Sequence, residues 1–143
     1  MQSAPPAAER YAKLAVRRGI ALGALRSGNA HDFAIVLAAA AQPFQPGRVF
    51  TEREVNDMLR TFLAGAGAML ATDHVELRRW LIDFRLLERD GFGRAYAAGT
   101  PGPEFAAATA ELSTVDLATL ASDARTGDAA VRAQRKERWE KAR

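Results

Sequence analysis

No cysteine occurs among the 143 residues of the chain, which excludes a disulfide scaffold, thiolate metal sites and cysteine nucleophiles. Histidine is nearly as scarce. His31 and His74 leave no room for a histidine-built zinc centre, and neither has the i, i+4 partner that a metal pair on a helix requires. Long apolar runs are missing too: the longest, residues 33–41, falls far short of the ~20 residues that span a bilayer. Residues 1–6 have neither the basic nor the apolar region of a signal peptide, so a soluble, cytoplasmic protein is expected. Lysine is found only at Lys13, Lys136 and Lys141, and arginine carries most of the positive charge.

What is present suffices for one domain with helical extensions. A chain near this length buries roughly 68–70% of its unfolded surface without needing covalent staples. The net charge of +3 hides a partition. Residues 9–26 carry Arg10, Lys13, Arg17, Arg18 and Arg26 against Glu9 alone. Residues 27–124 hold eight arginines against thirteen carboxylates, and residues 125–143 hold seven basic groups against three acidic ones. An acidic middle thus lies between two basic ends.

Apolar spacing predicts a first helix over about 7–25, with Tyr11, Leu14, Ala15, Leu22 and Leu25 inward and Ser27-Gly28-Asn29 as its stop. Asn29 then caps a second helix that buries Phe33, Val36, Leu37, Ala40 and Ala41, ends at Pro43 and turns at Pro46-Gly47. Residues 48–50 can form one short strand. Thr51 and Glu54 form a capping box, behind which Val55, Met58, Leu59, Phe62 and Leu63 make a buried stripe. Residues 64–72 read as a loose helix end and loop. Asp73, with Glu76 at the capping-box position, opens a helix whose inward face is Leu77, Trp80, Leu81 and Phe84. Residues 86–97 read as a β-hairpin turning at Asp90-Gly91-Phe92-Gly93, and 99–103 as a linker. Three helical stretches follow, at 104–112, 115–125 and 129–142, with Thr114 and Asp128 as caps.

Helix, short strand, helix, loop, helix, hairpin is the layout of a winged helix. The expectation is therefore a mainly α protein: a winged helix-turn-helix domain at 29–97 with a small β-hairpin wing, a helix at 7–26 before it and a helical extension at 104–142. Around Phe50-Thr51-Glu52-Arg53-Glu54-Val55-Asn56 the chain resembles the bacterial family known as domain of unknown function 2087. Leu59, Leu77, Arg78, Arg79, Leu81, Asp83, Leu87, Arg89, Gly93 and Tyr96 continue the match over about 33–97. Members occur alone or joined to helix-turn-helix regulators, so the resemblance implies transcription-related DNA binding and no reaction. Arg85 stands where that family often has a glycine, which implies a strained backbone or a different helix end there.

The charged residues each have two readings. Arg78 and Arg79, opposite Trp80 and Phe84, either meet phosphates and base edges in a major groove or pair with Asp83, Glu76 or Glu54. Residues 73–94 hold five arginines and five carboxylates, a neutral balance, whereas backbone binding needs positive charge facing the phosphates. Arg89 and Arg94 flank the wing turn and are either DNA contacts or solvating groups. Val75 and Ile82 form a second apolar strip beside Arg78 and Arg79; burial under the chain's own tail or a second copy is the favoured reading. In the tail, Arg132, Arg135 and Lys136 with Trp139 form either a phosphate-binding arm or a solvated helix with Trp139 docked on the core. Its i, i+4 pairs would be Lys136–Glu140 and Glu137–Lys141, only the latter in the favoured acid-to-base direction. Glu52 and Glu54 do not make an acid/base pair, because Glu54 is accounted for by capping, and Asn56 is available to bond the loop after Pro46. Gly91-x-Gly93 lacks the strand–helix setting of a nucleotide loop.

The functional expectation is a non-enzymatic protein that binds double-stranded DNA through Arg78, Arg79, Arg89, Arg94, Arg132, Arg135 and Lys136, with no cofactor and no metal. The alternative is a protein-interaction module, as a homodimer, on a winged-helix scaffold without DNA binding.

Overall fold

The helix over residues 33–41 is apolar on every side and so must be enclosed on every side; the rest of the chain wraps it. A computed structural model describes residues 6–142. Residues 1–5, where no signal peptide was read, and Arg143 at the end of the basic tail lie outside the described residues. The elements in order are α1 (Pro6–Ala15), α2 (Leu22–Gly28), α3 (Ala30–Ala41), β1 (Val49–Thr51), α4 (Glu52–Ala64), α5 (His74–Asp83), β2 (Leu87–Arg89), β3 (Ala95–Ala98), α6 (Pro103–Leu112) and α7 (Leu117–Lys141). α3 is the central helix, packed by α1, α2, α5 and α6. Its N-cap is Asn29, whose side chain accepts from the Asp32 amide at 3.1 Å.

β1, β2 and β3 form an antiparallel sheet in the order β1-β3-β2. Phe50 faces Tyr96 across the β1–β3 pair, and both rings are buried, so one face of the sheet closes the core. The sequence α3-β1-α4-α5-β2-β3, with β2 and β3 as the wing, is a winged helix carrying extra helices at both ends. α6 belongs to the same core, since its Phe105 meets Phe84 at 5.1 Å and Phe33 at 6.2 Å between ring centroids. The Gln42 side chain donates to the carbonyls of Leu112 and Val115, both at 2.7 Å, which ties α3 to the end of α6.

Three local expectations are corrected. The single first helix is two helices, broken at 16–21. Gly19 takes φ +67, a conformation glycine adopts without Cβ strain, and Ile20 pairs with Leu70 as a parallel bridge. Ile20 donates to the Met69 carbonyl at 2.9 Å and accepts from the Ala71 amide at 2.8 Å. The inward residues Tyr11, Leu14, Leu22 and Leu25 are nevertheless all buried.

The second correction is that 115–125 and 129–142 are one helix, α7. Its cap is Asp116, which accepts from the Thr119 amide, rather than Thr114. Asp128 lies in its interior, paired with Arg132. Third, Glu76 does not close a capping box. Asp73 accepts from the Glu76 amide at 2.8 Å, but the Glu76 side chain takes its hydrogen bond from Thr72. The box at Thr51 and Glu54 is complete, with reciprocal bonds of 3.0 and 3.1 Å.

One charged group lies in the interior. Asp32 is buried and receives a two-pronged bond from Arg10, Nε to Oδ1 and Nη2 to Oδ2, each 2.7 Å. Hydrogen bonding to Arg10 holds the Asp32 carboxyl below the usual carboxylate range. The same bond clamps α1 to the first turn of α3, where the helix dipole also favours a negative charge.

Candidate nucleic-acid interface

Capping and packing together aim α5. Asp73 caps its start, and Leu77 and Leu81 are fully buried beneath it. Trp80 and Phe84 are half-buried, stacked at 6.0 Å with an 18° interplanar angle, and each meets Phe33 edge-on at 5.3 Å. Arg26 from α2 sits over both rings. After the Phe84 cap, Arg85 adopts φ +63, so the left-handed turn that a glycine would take without strain is made by an arginine. That turn sends the chain directly into β2.

With that face inward, Val75, Arg78, Arg79, Ile82 and Asp83 lie on the other side of α5, and together with Arg89 they line a hollow of about 260 Å³. The structure thus brings together three of the seven candidate DNA-binding residues and both candidate interface residues. They are not equivalent. Arg78 is only 16% exposed, donates to Glu52 Oε1 at 3.0 Å and to Asn56 Oδ1 at 2.6 Å, and lies over the Tyr96 ring at 6.0 Å. It bridges α5 to α4, and its partners are Glu52 and Asn56 rather than Asp83, Glu76 or Glu54. Asn56 accordingly bonds Arg78 and not the loop after Pro46. Arg79 and Arg89 are exposed and make no ion pair among the described residues.

The expected cover over Val75 and Ile82 is not supplied by the tail: Val75 is 44% exposed, Ile82 leans on the core, and α7 packs on α1. Trp139, docked on the core in one of the two readings of the tail, is 63% exposed. Of the two tail pairs, only Glu137–Lys141 is present, at 2.9 Å. Arg132 pairs with Asp128 and opens on a different hollow from that of α5. Arg135 and Lys136 are exposed farther along α7.

The wing tip is tied together by its own backbone amides. The Asp90 side chain accepts from the Phe92 amide at 3.2 Å and the Arg94 amide at 2.9 Å. These bonds, that from Arg94 foremost, hold its carboxyl below the ordinary range. Gly93 supplies the positive φ of the turn. Arg94 stands exposed on one side, and Phe92, 86% exposed, projects at the tip. Sequence reading took Phe92 only as a loop residue; an aromatic inside an Asp-Gly turn was the available signal, since such a ring has no neighbour to bury it.

The remaining acidic candidates have local roles. Glu54 caps α4 and lies 3.7 Å from Arg48, whose guanidinium covers Phe50 at 4.8 Å. His74 is within 3.3 Å of Arg60. Among the described residues no group of three histidine, aspartate or glutamate side chains could hold a metal ion, and no helix is long and apolar enough to cross a membrane.

No curated protein and no solved structure matches the chain. Over residues 27–98, half of its length, it matches the profile of domain of unknown function 2087, described as an uncharacterized protein conserved in bacteria. The matched segment starts one residue before α2 ends and stops with β3, so it contains the whole winged helix and neither α1, α6 nor α7. The chain belongs to this bacterial family.

Proposed function

We propose that the protein is a non-enzymatic, transcription-associated DNA-binding protein that lays α5 in a major groove and its wing along the adjoining backbone. The observation that carries this reading is the pair Arg79 and Arg89, exposed and without ion-pair partners among the described residues, the first on the outward face of the helix that a winged helix inserts and the second on the adjoining wing strand β2. Arg94 extends that positive edge onto the wing, and Arg135 and Lys136 on α7 add phosphate contacts. Asp83 and Glu88 stand exposed nearby, but three other carboxylates weigh less than their number suggests. Asp73 and Asp90 face backbone amides and Glu76 faces a hydroxyl, so their charge is partly met by local dipoles. Arg78 acts as a support, keeping α5 at a set angle to α4.

The test is fluorescence anisotropy on a labelled random duplex across a salt series. Affinity should fall with a log–log slope of several units, at about 0.9 per phosphate contact. Arg79→Ala with Arg89→Ala should lower that slope by about 2 while leaving the circular dichroism spectrum unchanged. Absence of binding at low salt overturns the reading.

A second reading has its own support in Val75, at 44% exposed, and Phe92, at 86%: an apolar strip edged with arginine suits a protein interface. In that case the protein is a homodimer through the α5 face. Light scattering would then give twice the monomer mass, and Val75→Glu would return it to the monomer value.

A further inference from the structure

The two basic ends of the chain meet in space. Arg17 and Arg18, in the turn after α1, share one hollow of about 450 Å³ with Arg125 and Arg132 of α7, and its floor includes Ala15 and Met69. Asp128 is the carboxylate on its wall. Four arginines therefore share the hollow with one acid, although the segments that bring them are about a hundred residues apart in the chain.

Two of the four are already engaged. Arg125 donates from Nε to the Ala15 carbonyl and from Nη1 to the Gly65 carbonyl, both at 2.9 Å, and from Nη2 to Ala66 at 3.4 Å. Its charge offsets the partial negative charge of the carbonyl ends of α1 and α4. Arg132 holds Asp128 through Nε at 2.7 Å, so the acid is met by its own i, i+4 partner. Arg17 and Arg18 are exposed, and their side chains make no hydrogen bond or ion pair among the described residues. Arg17 also acts on the buried Asp32 carboxylate, but Arg10 already holds that acid through two bonds. Gathering more positive than negative charge in a concavity concentrates the field there and attracts a counter-ion.

We propose that this hollow is a binding site for a small phosphorylated anion of the pyrophosphate or nucleoside diphosphate kind. Arg17 and Arg18 are its main donors, and the Ala15–Met69 floor takes the uncharged part of the ligand. Three features select that chemistry. The planar guanidinium fork matches phosphate oxygens two at a time. The volume lies in the range of small-molecule sites. Donors from the turn after α1 and from α7 converge on one hollow, which suits a compact anion. The site is distinct from the α5 face and does not depend on the DNA reading.

The experiment is isothermal titration of the full chain with pyrophosphate and with adenosine diphosphate, at low and moderate salt. It is repeated on Arg17→Ala/Arg18→Ala and on Arg135→Ala/Lys136→Ala, which removes two charges from α7 outside the hollow. Duplex DNA is titrated in parallel. The expected result is saturable binding of one or both anions, weakened at least about tenfold by the first pair and unchanged by the second. No binding up to millimolar anion overturns the proposal. So does equal loss in both variants, which would be general charge attraction. A third overturning result is dependence on Arg17 and Arg18 for the duplex alone, which would make them DNA contacts.

Discussion

The α5–wing face and the hollow between α1 and α7 are both lined by arginine, yet they are built on different principles. On α5, neighbours in sequence divide the work: Arg78 is bonded to Glu52 and Asn56 while Arg79 is exposed without an ion pair. Between α1 and α7 the division is by segment, with Arg125 bonded to three carbonyls and Arg17 and Arg18 left open. In each region one guanidinium fastens two elements together, and the surface cations stand on the scaffold so fixed. The regions differ in size and in what accompanies the charge. The first, a hollow of about 260 Å³, lies on the face that carries exposed Val75 and Phe92, which suits a large partner. The second, of about 450 Å³, gathers four guanidinium groups around one hollow, which suits a compact anion. A count of basic residues does not separate these cases; partners and placement do.

The contrast predicts large effects for the fastening groups and small ones for the open groups. The largest belongs to the packing beneath α5. Trp80→Ala removes a half-buried ring that contacts Phe33 and Phe84, and a loss of about 3 kcal/mol in chemical denaturation is expected, at the low end for a large-to-small core change. A loss under about 1 kcal/mol would mean that α5 is held by Arg78 more than by its aromatic face.

Next is Arg125→Ala, which leaves the carbonyls of Ala15, Gly65 and Ala66 without these bonds. Destabilisation of about 2 kcal/mol is expected, within the range for hydrogen bonds made by a charged group, since Ala66 still accepts from Tyr11 and Gly65 from the Ala68 amide. Arg125→Lys should recover only part of it, because a single ammonium cannot reproduce the fork. Full recovery with lysine would show that charge alone matters at that site.

Arg10→Ala strands the buried Asp32 carboxylate, and about 1–2 kcal/mol should be lost at neutral pH, because the arginine is itself partly exposed. The sign with pH follows from the lowered pKa of Asp32. Its contribution is complete above the unfolded carboxylate value and is lost as pH falls through the folded one. The wild type should therefore lose stability in acid more steeply than the variant, as urea midpoints across the acid range would show. Parallel curves would assign the acid sensitivity elsewhere.

The smallest change is a gain. Arg85→Gly removes the strain of a left-handed arginine at φ +63 and should stabilise the domain by about 1 kcal/mol. A loss instead would mean that the Arg85 side chain supports the wing.

Much of the architecture was readable because it is written in short range. Asn29, Thr51 and Asp73 each precede an amide they can accept from, so three helix starts were legible. Asp90-Gly91 and the alternation after Leu86 showed the hairpin, and the stripes through Val55–Leu59–Phe62 and Leu77–Leu81 showed which faces turn inward. The errors have equally local causes. Tyr11, Leu14, Leu22 and Leu25 keep helical spacing across 16–21, so periodicity carried straight over a break that Ile20 makes by pairing with Leu70, fifty residues away. The expected break between 125 and 129, with Asp128 as a cap, spans Gly127, but a glycine inside a helix costs only about 1 kcal/mol, and the flanking turns of α7 carry it.

The candidate site was legible by residue type and not by availability. Which side of α5 faces outward follows from its apolar period, and the exposure of Arg79 follows from that; the exposure of Arg89 and Arg94 follows from their place beside the wing turn. The capture of Arg78 by Glu52 and Asn56 does not, because those partners sit on the preceding helix and meet it only when α4 and α5 cross.

The sequence by itself determined the order of the elements, the winged layout, the family and the acidic middle between basic ends, since each depends on nearest neighbours or on composition. Only the tertiary structure decided which arginines are bound and which are open, and that the two basic ends converge on one hollow. Coulomb and hydrogen-bond partners are set by distance in space, and the approach of α1 to α7 is driven by burial of apolar surface that carries no record of which charges it will bring together.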